Sequence, residues 1–344
     1  MKESGKRAPT AVDVAQRAKV SLGTVSNVLN GTREVSERKI QAVRRAIKEL
    51  GYTPNHSARS LKMGSSGLLG VVVANSVFYA EIIEGIEAEI AKVGWRMLVG
   101  SSLEDPQREQ ELISDFVSQR VEGIIVVPVL NHRKSEETIN VAYDIPFVYV
   151  DRGIDTPFVG ADNALGSYLA TAHLLTVHAL SRIHFMHGSD TVVTSERRKG
   201  FQKAMTENGL HVDEYTIHNG FSTWEGGYRA MCDILSLSEL PVAVVVTNNF
   251  MCMGAWKACM DKGLKIPGDV SIIGFDDAPW MRLLSPGLTA VKQPLGWIAT
   301  IAVEVIMKLK AGGQVDERTI LSDELIIRGS CGCSEHLAGL RHLP

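Results

Sequence analysis

The chain is poor in aromatic residues, 6 % of its length, and no apolar run approaches the roughly 18 residues that would span a bilayer. Its five cysteines, Cys232, Cys252, Cys259, Cys331 and Cys333, are too few and odd in number for a disulfide-stapled secreted scaffold. Together with a polar, basic Met1–Pro9 arm that lacks the features of a targeting signal, they predict a reducing, cytoplasmic setting. There is no phosphate-binding loop and no Gly-x-Gly-x-x-Gly after a strand, which removes the fingerprints of nucleotide and dinucleotide chemistry. Cys331-Gly332-Cys333 is compact enough to hold a metal, with His336 near it. No second Cys or His pair stands at finger spacing, however, so a frayed tail is the expectation. His173, His178, His184, His187 and His211 form no recognisable metal spacing either. No nucleophile with a matching base stands out. No cofactor, no metal and no enzymatic activity are therefore expected.

What the chain does have is a charge asymmetry. Residues 1–64 carry a net charge of +8 within a chain of net −3, which leaves −11 on the remainder. A basic head on an acidic body is the footprint of a nucleic-acid-binding module joined to a part that does not itself bind nucleic acid. The head also reads as three helices. Thr10 precedes an apolar-periodic run and has Asp13 three residues on, a capping arrangement for a helix over about Ala11–Ala18. Ser21 caps a second helix with Val25, Val28 and Leu29 inward and Leu22, Gly23, Ser26 and Asn27 outward; Asn30-Gly31 ends it. Ser36 caps a third, about Glu37–Leu50, with Ile40, Val43, Ile47 and Leu50 inward, and Gly51 stops it. Two short helices across a three-residue turn, with a third behind, make a helix-turn-helix.

Ala11 to Lys62 resembles the head of the LacI/GalR family of bacterial transcription regulators. The matching residues are Thr10, Asp13-Val14-Ala15, Ala18, Val20-Ser21, Thr24-Val25-Ser26, Val28-Leu29-Asn30-Gly31, Val35-Ser36-Glu37, Leu50-Gly51-Tyr52, Pro54-Asn55, Ala58-Arg59 and Leu61. The likeness continues to about Arg328. It implies that Ser21, Thr24, Ser26, Asn30, Ser36, Tyr52 and Asn55 hold phosphates, and that Leu22, Gly23 and Asn27 read base edges. Asn27 stands where the family often has Arg; Asn suits adenine whereas Arg suits guanine, so an unusual operator is expected. Lys19 replaces a Gly that the family often holds left-handed, so some strain or a slightly different turn is expected there. Asn55–Leu61 resembles the hinge helix, too short to persist alone. The resemblance makes Leu61 a wedge in the minor groove, with Arg59 and Lys62 beside the DNA.

From residue 67 on, apolar strands alternate with amphipathic helices, the pattern of an α/β fold with buried parallel sheets. Candidate strands are 68–73, 96–99, 123–127, 147–150, 182–185, 215–218, 242–247, 271–274 and 289–292; candidate helices are 80–93, 108–119, 164–175, 195–208, 224–235, 251–262 and 295–309. In such folds ligands bind beyond the carboxyl ends of strands. Phe78, Tyr79, Asp151, Arg152, Arg197, Phe221, Asn248, Asp276 and Gln293 stand at such ends. Carboxylates, guanidinium and amides can bond vicinal hydroxyls, and rings can cover the apolar face of a sugar. The set resembles that of periplasmic ribose-type sugar-binding proteins, with Ser76-Val77 departing from the Asn-Pro common there.

The sequence thus predicts an all-α helix-turn-helix DNA-binding head (1–51), a hinge and linker (52–66) and a two-lobed, periplasmic-binding-protein-like α/β body (67–344) that binds an effector and dimerises. The expected function is transcriptional regulation, as a repressor, controlled by a small sugar-like effector, with a pentose only weakly preferred. A nucleoside or purine effector stays open, and an enzyme with a DNA-binding head is the remote alternative. The expected partners are a pseudo-palindromic double-stranded DNA operator, the small molecule and a second copy of the chain. Leu337, Leu340 and Leu343 are too few heptad positions to extend a dimer to a tetramer.

Overall fold

The computed structural model describes residues 9–30, 33–52, 65–75, 79–129, 145–153, 156–213 and 216–334. The expected hinge residues Asn55, Arg59, Leu61 and Lys62, the Ser76–Phe78 segment and the tail leucines lie outside them. The chain divides into two compact units, Met1–Ser66 and Gly67–Pro344. Among the described residues no helix is long and apolar enough to cross a membrane.

The first unit contains α1 (Ala11–Ala18), α2 (Leu22–Asn30) and α3 (Glu37–Leu50). Thr10 and Asp13 close a reciprocal capping box: the Thr10 amide donates to Asp13 Oδ2 at 2.6 Å and the Asp13 amide to Thr10 Oγ1 at 3.4 Å. Lys19 ends α1 in the left-handed region at φ 52°, the strained turn expected of a side chain in a glycine's place. Ser21 Oγ accepts the Thr24 amide at 3.1 Å and so caps α2. Ser36 differs from expectation: it is the N-cap of α3 but its side chain makes no capping bond. Val14, Ala15, Val25, Val43 and Ala46 form the small core, and Ile47, Leu50 and Tyr52 pack against it.

The second unit holds two six-stranded sheets. The first has the order β11-β5-β4-β3-β1-β2, from β1 (Leu68–Val73), β2 (Arg96–Ser101), β3 (Ile124–Val126), β4 (Phe147–Val150), β5 (Phe158–Ala161) and β11 (Arg318–Leu321). The second has the order β12-β10-β9-β8-β6-β7, from β6 (Ile183–His187), β7 (Ile217–Asn219), β8 (Val242–Val246), β9 (Val270–Phe275), β10 (Thr289–Lys292) and β12 (Glu324–Ile326). Every pairing is parallel except β10 with β12. β1, β3, β4, β8 and β9 are buried almost throughout, which is why they read as unbroken apolar runs.

Helices cover the sheets: α4 (Ala80–Lys92), α5 (Pro106–Ser118) and α10 (Leu295–Lys310) on the first, and α6 (Asn163–Thr176), α7 (Val192–Glu207), α8 (Trp224–Leu237) and α9 (Asn249–Asp261) on the second. The chain passes between sheets after β5, after β10 and between β11 and β12. Gly226 and Gly227 lie in the first turn of α8. A Cβ at Gly227 would sit 2.3 Å from Met251 O, and one at Gly254 1.9 Å from Trp224 O, so glycine permits the close approach of α8 and α9.

Candidate functional site

In the first unit the outward face of α2 carries the residues expected to meet DNA. Leu22 is 51 % exposed, Ser21 and Gly23 are exposed, and Thr24, Ser26 and Asn27 are half-buried. Ser21 and Thr24 hydroxyls bond each other at 2.9 Å. Ser36 is exposed, and Asn30 is the last residue of α2. Tyr52 packs on the core of this unit. Arg33, Arg38, Lys39, Arg44 and Arg45 add exposed positive charge, and Arg17 of α1 pairs with Glu49 of α3 at 2.6 Å. An exposed short helix with a polar, small-residue face beside cations is the surface that a major groove accepts.

In the second unit a cleft of about 430 Å³ opens at the carboxyl ends of the strands of both sheets. Eight strands deliver lining residues: Asn75 after β1, Glu104 after β2, Val129 after β3, Asp151 and Arg152 after β4, Ser189 after β6, Phe221 after β7, Asn248 after β8 and Gln293 after β10. Of the nine residues read from the sequence, Tyr79, Asp151, Arg152, Arg197, Phe221, Asn248 and Gln293 line it. Asp276 does not; it lies behind the wall, where its Oδ1 accepts from Gln293 Nε2 at 2.7 Å and faces Arg197 Nη2 at 3.8 Å. Phe78 is outside the described residues. Asn75, Glu104, Val129, Ser189, Asp190, Thr191, Val193, Thr194, Ser222, Thr247 and Phe250 also line the cleft and were missed. Applying the strand-end rule to β1, β2, β3 and β6 would have found the first four.

Arg197 is the hub. It is 6 % exposed and sits in the second turn of α7, not at its start as the sequence suggested, because Thr191 caps the helix earlier. Its Nε donates to Asn163 Oδ1 at 2.9 Å, its Nη1 donates to Thr247 O at 2.6 Å, and the guanidinium stacks 4.4 Å over Phe275. Burial pushes Asp276 up, and Arg197 is the first influence opposing it. On the other wall Tyr79 Oη donates to Asp151 Oδ2 at 2.7 Å; burial, then Asp151, holds that phenol well above its ordinary value, so it stays a donor. Arg152 pairs with Glu104 at 2.7 Å. Asp276 Oδ2, Gln293 Oε1 and Arg152 Nε are buried without a hydrogen-bond partner among the described residues. Asn248 Oδ1 caps α9 by accepting from Phe250 and Met251 amides, which ties this lining residue to the fold.

The backbone is strained at this site. Glu104, Asp151, Phe221, Ser222 and Asp276 all have φ between 54° and 69°. Non-glycine residues in this region cost free energy and cluster where function needs a particular direction. Here each sharp turn follows a strand end.

The sequence expectation of a frayed tail at Cys331–Cys333 is overturned. Gly329–Cys331 forms a 3₁₀ turn whose residues are buried, and Cys331 is 1 % exposed. Ser330 Oγ donates to Ile272 O at 2.6 Å and accepts the Thr289 amide at 2.8 Å, which stitches the turn to β9 and β10.

Two family profiles match the chain: bacterial regulatory proteins of the lacI family over residues 10–55, and the periplasmic binding protein-like domain over residues 171–331. A repressor of Pasteurella multocida (strain Pm70) described as HTH-type transcriptional repressor PurR is 33 % identical over 329 residues, 93 % of this chain and 98 % of that protein. The solved Lac repressor dimer bound to operator and the anti-inducer ONPF shares the fold, with a TM-score of 0.84 at 24 % identity over 94 % of this chain and 99 % of that one. The complex of the transcriptional regulator CelR with cellobiose aligns with a TM-score of 0.67 at 26 % identity over 94 % of this chain and 99 % of its own. A helix-turn-helix head, a two-sheet body with a polar cleft, and full-length likeness to a repressor converge: the chain belongs to the LacI family of DNA-binding bacterial transcription regulators.

Proposed function

We propose that the protein is an operator-binding repressor, acting as a homodimer, whose DNA affinity is set by a small polyhydroxylated molecule held between the lobes. The observation that carries the effector reading is the make-up of the cleft. Carboxylates, guanidinium groups and side-chain amides converge there beside Phe221 and Phe250, and Gln293 Oε1 and Arg152 Nε have bonds left to make. Paired acceptors and donors satisfy vicinal hydroxyls, and a ring covers a sugar's apolar face. The cellobiose complex of CelR supports a sugar in this fold. Leu22, Gly23 and Asn27 would read the major groove, Ser21, Thr24, Ser26, Asn30, Ser36 and Tyr52 would set the register on phosphates, and the segment containing Asn55, Arg59, Leu61 and Lys62 would dock in the minor groove.

A second reading is a purine or nucleoside. It is favoured by rings that could stack on a base, and the chain is 33 % identical along nearly its whole length to the repressor described as PurR. Thermal melting against pentoses, hexoses, sugar phosphates, nucleosides and purine bases separates the two. A ligand at about 100 times its dissociation constant adds about 2.7 kcal/mol. A shift with one sugar supports the first reading. A shift with purines alone replaces it with the second, and no shift with any class removes both. The DNA reading is tested by Asn27→Arg, which should change base preference at one operator position; an unchanged preference would take Asn27 off the DNA.

A further inference from the structure

Away from the cleft, the second unit brings four side chains of ligand type to one point. His173 stands in the last turn of α6 and His178 just past its end. Cys331 closes the buried 3₁₀ turn, and Cys333 follows it after Gly332. One donor atom from each lies within 4.8 Å of all the others. His173 Nε2 is 3.3 Å from His178 Nε2, 3.5 Å from Cys331 Sγ and 3.5 Å from Cys333 Sγ, and Cys333 Sγ is 3.4 Å from His178 Nε2.

These lengths have the form of a coordination polyhedron. A tetrahedral zinc with Zn–N of about 2.05 Å and Zn–S of about 2.3 Å has N–N edges of about 3.3 Å and N–S edges of about 3.6 Å. The four distances agree with those edges to about 0.2 Å, the tolerance appropriate to such a site. Hydrogen bonding alone accounts for them poorly. An imidazole nitrogen offers either a single N–H or a single in-plane lone pair, and His173 Nε2 has three close neighbours. A shared cation satisfies all three at once.

The surroundings are built for the same purpose. Gly332 takes φ 108°, and a Cβ there would approach His178 Nδ1 to 3.2 Å, so the turn that aims both sulfurs at the histidines excludes a side chain. Thr289 Oγ1 donates to Arg328 O at 2.9 Å and lies 3.3 Å from Cys331 Sγ, which fixes the turn against β10. Two thiolates would neutralise a divalent ion, so the site could be buried without net charge.

We propose that His173, His178, Cys331 and Cys333 hold one borderline-soft divalent ion of the zinc class in a closed, four-ligand site. With every coordination position taken by protein, the ion is structural and does no chemistry on a substrate. It clamps the carboxyl-terminal turn to the end of α6, the helix whose other end presents Asn163 to Arg197. Sequence spacing hides the site: the ligands form two close pairs, with His173 and Cys331 standing 158 positions apart.

The experiment uses the full-length protein, reduced and freed of metal, then loaded with Zn(II) or Co(II) alone. The proposal expects one ion per chain by elemental analysis and, with cobalt, visible tetrahedral bands plus a near-ultraviolet thiolate-to-cobalt band. It further expects a lower melting midpoint after chelation, and loss of the bound ion when Cys331→Ser and Cys333→Ser are combined. On the unmutated chain, a mercurial reagent should release the ion as Cys331 and Cys333 are modified, which avoids reliance on a variant that folds poorly. Substoichiometric metal after loading, an octahedral cobalt spectrum without the thiolate band, or full retention in the double variant would each overturn the assignment. So would a Cys331–Cys333 disulfide found by mass spectrometry in the freshly purified, unreduced protein.

Discussion

The two compact units build their candidate sites in opposite ways. In the first, the residues on the exposed face of α2 lie within Ser21–Asn30, and one local decision, a short helix with a small-residue outer face, presents them all. In the second, the cleft gathers residues from Asn75 to Gln293, placed by the ends of eight strands and the first two turns of helices. A locally built site can be read from spacing and rewritten one residue at a time. A site assembled from strand ends depends on both sheets, and its members brace each other, as Arg197, Asp276 and Gln293 do.

Four experiments would break or sharpen that contrast. The largest effect is expected from Val43→Asp. Val43 is fully buried in a five-residue core, and an unpaired carboxylate there should cost more than about 3 kcal/mol, enough to unfold this small unit. Operator binding should vanish in a mobility-shift assay while the ligand-induced melting shift of the body survives; loss of both would mean the units do not fold separately. Next is Arg197→Ala, which strands buried Asp276, Asn163 Oδ1 and Thr247 O and should cost about 3 kcal/mol. The effector response should disappear with operator binding intact, and a variant that still responds would place the ligand elsewhere.

A pH-dependent effect concerns Asp323, which joins β11 to β12 and which burial pushes up to about 8. Its folded value exceeds its unfolded one, so the folded state favours the protonated acid. That stability is fully present below about pH 4 and is lost as pH rises towards 8. Asp323→Asn should therefore flatten the fall in melting midpoint between about pH 5 and 8; parallel curves would show that Asp323 does not titrate there. The smallest effect is Lys19→Gly, which relieves a left-handed lysine and should stabilise the first unit by up to about 1 kcal/mol. Unchanged denaturant midpoints would show that the turn bears no strain.

The residues legible in the sequence share a short range of action. The capping box of Thr10 and Asp13, the Ser21 cap and the Gly51 stop each bind within a turn or two, so the bounds of α1, α2 and α3 were readable. The long apolar runs of β1, β4 and β8 were readable because a strand buried on both faces cannot carry polar side chains. β5, β11 and β12 were not: they have three or four residues each, and β11 and β12 are partly exposed, so no period announces them. The seven residues expected to bind an effector that do line the cleft were found by one rule, that function follows strand ends. The same rule misplaced Asp276, which follows β9 but turns into the wall behind Gln293.

By itself the sequence determined the charge division between head and body, the three-helix head, the alternation of strand and helix, and likeness to the LacI family. These depend on neighbours along the chain or on pattern. Only the tertiary structure decided which strand ends meet across the cleft, and that the Cys331–Cys333 turn packs against His173 and His178. The physical reason is loop closure: contacts between residues 158 apart are set by the packing of whole sheets and helices, and no local propensity encodes them.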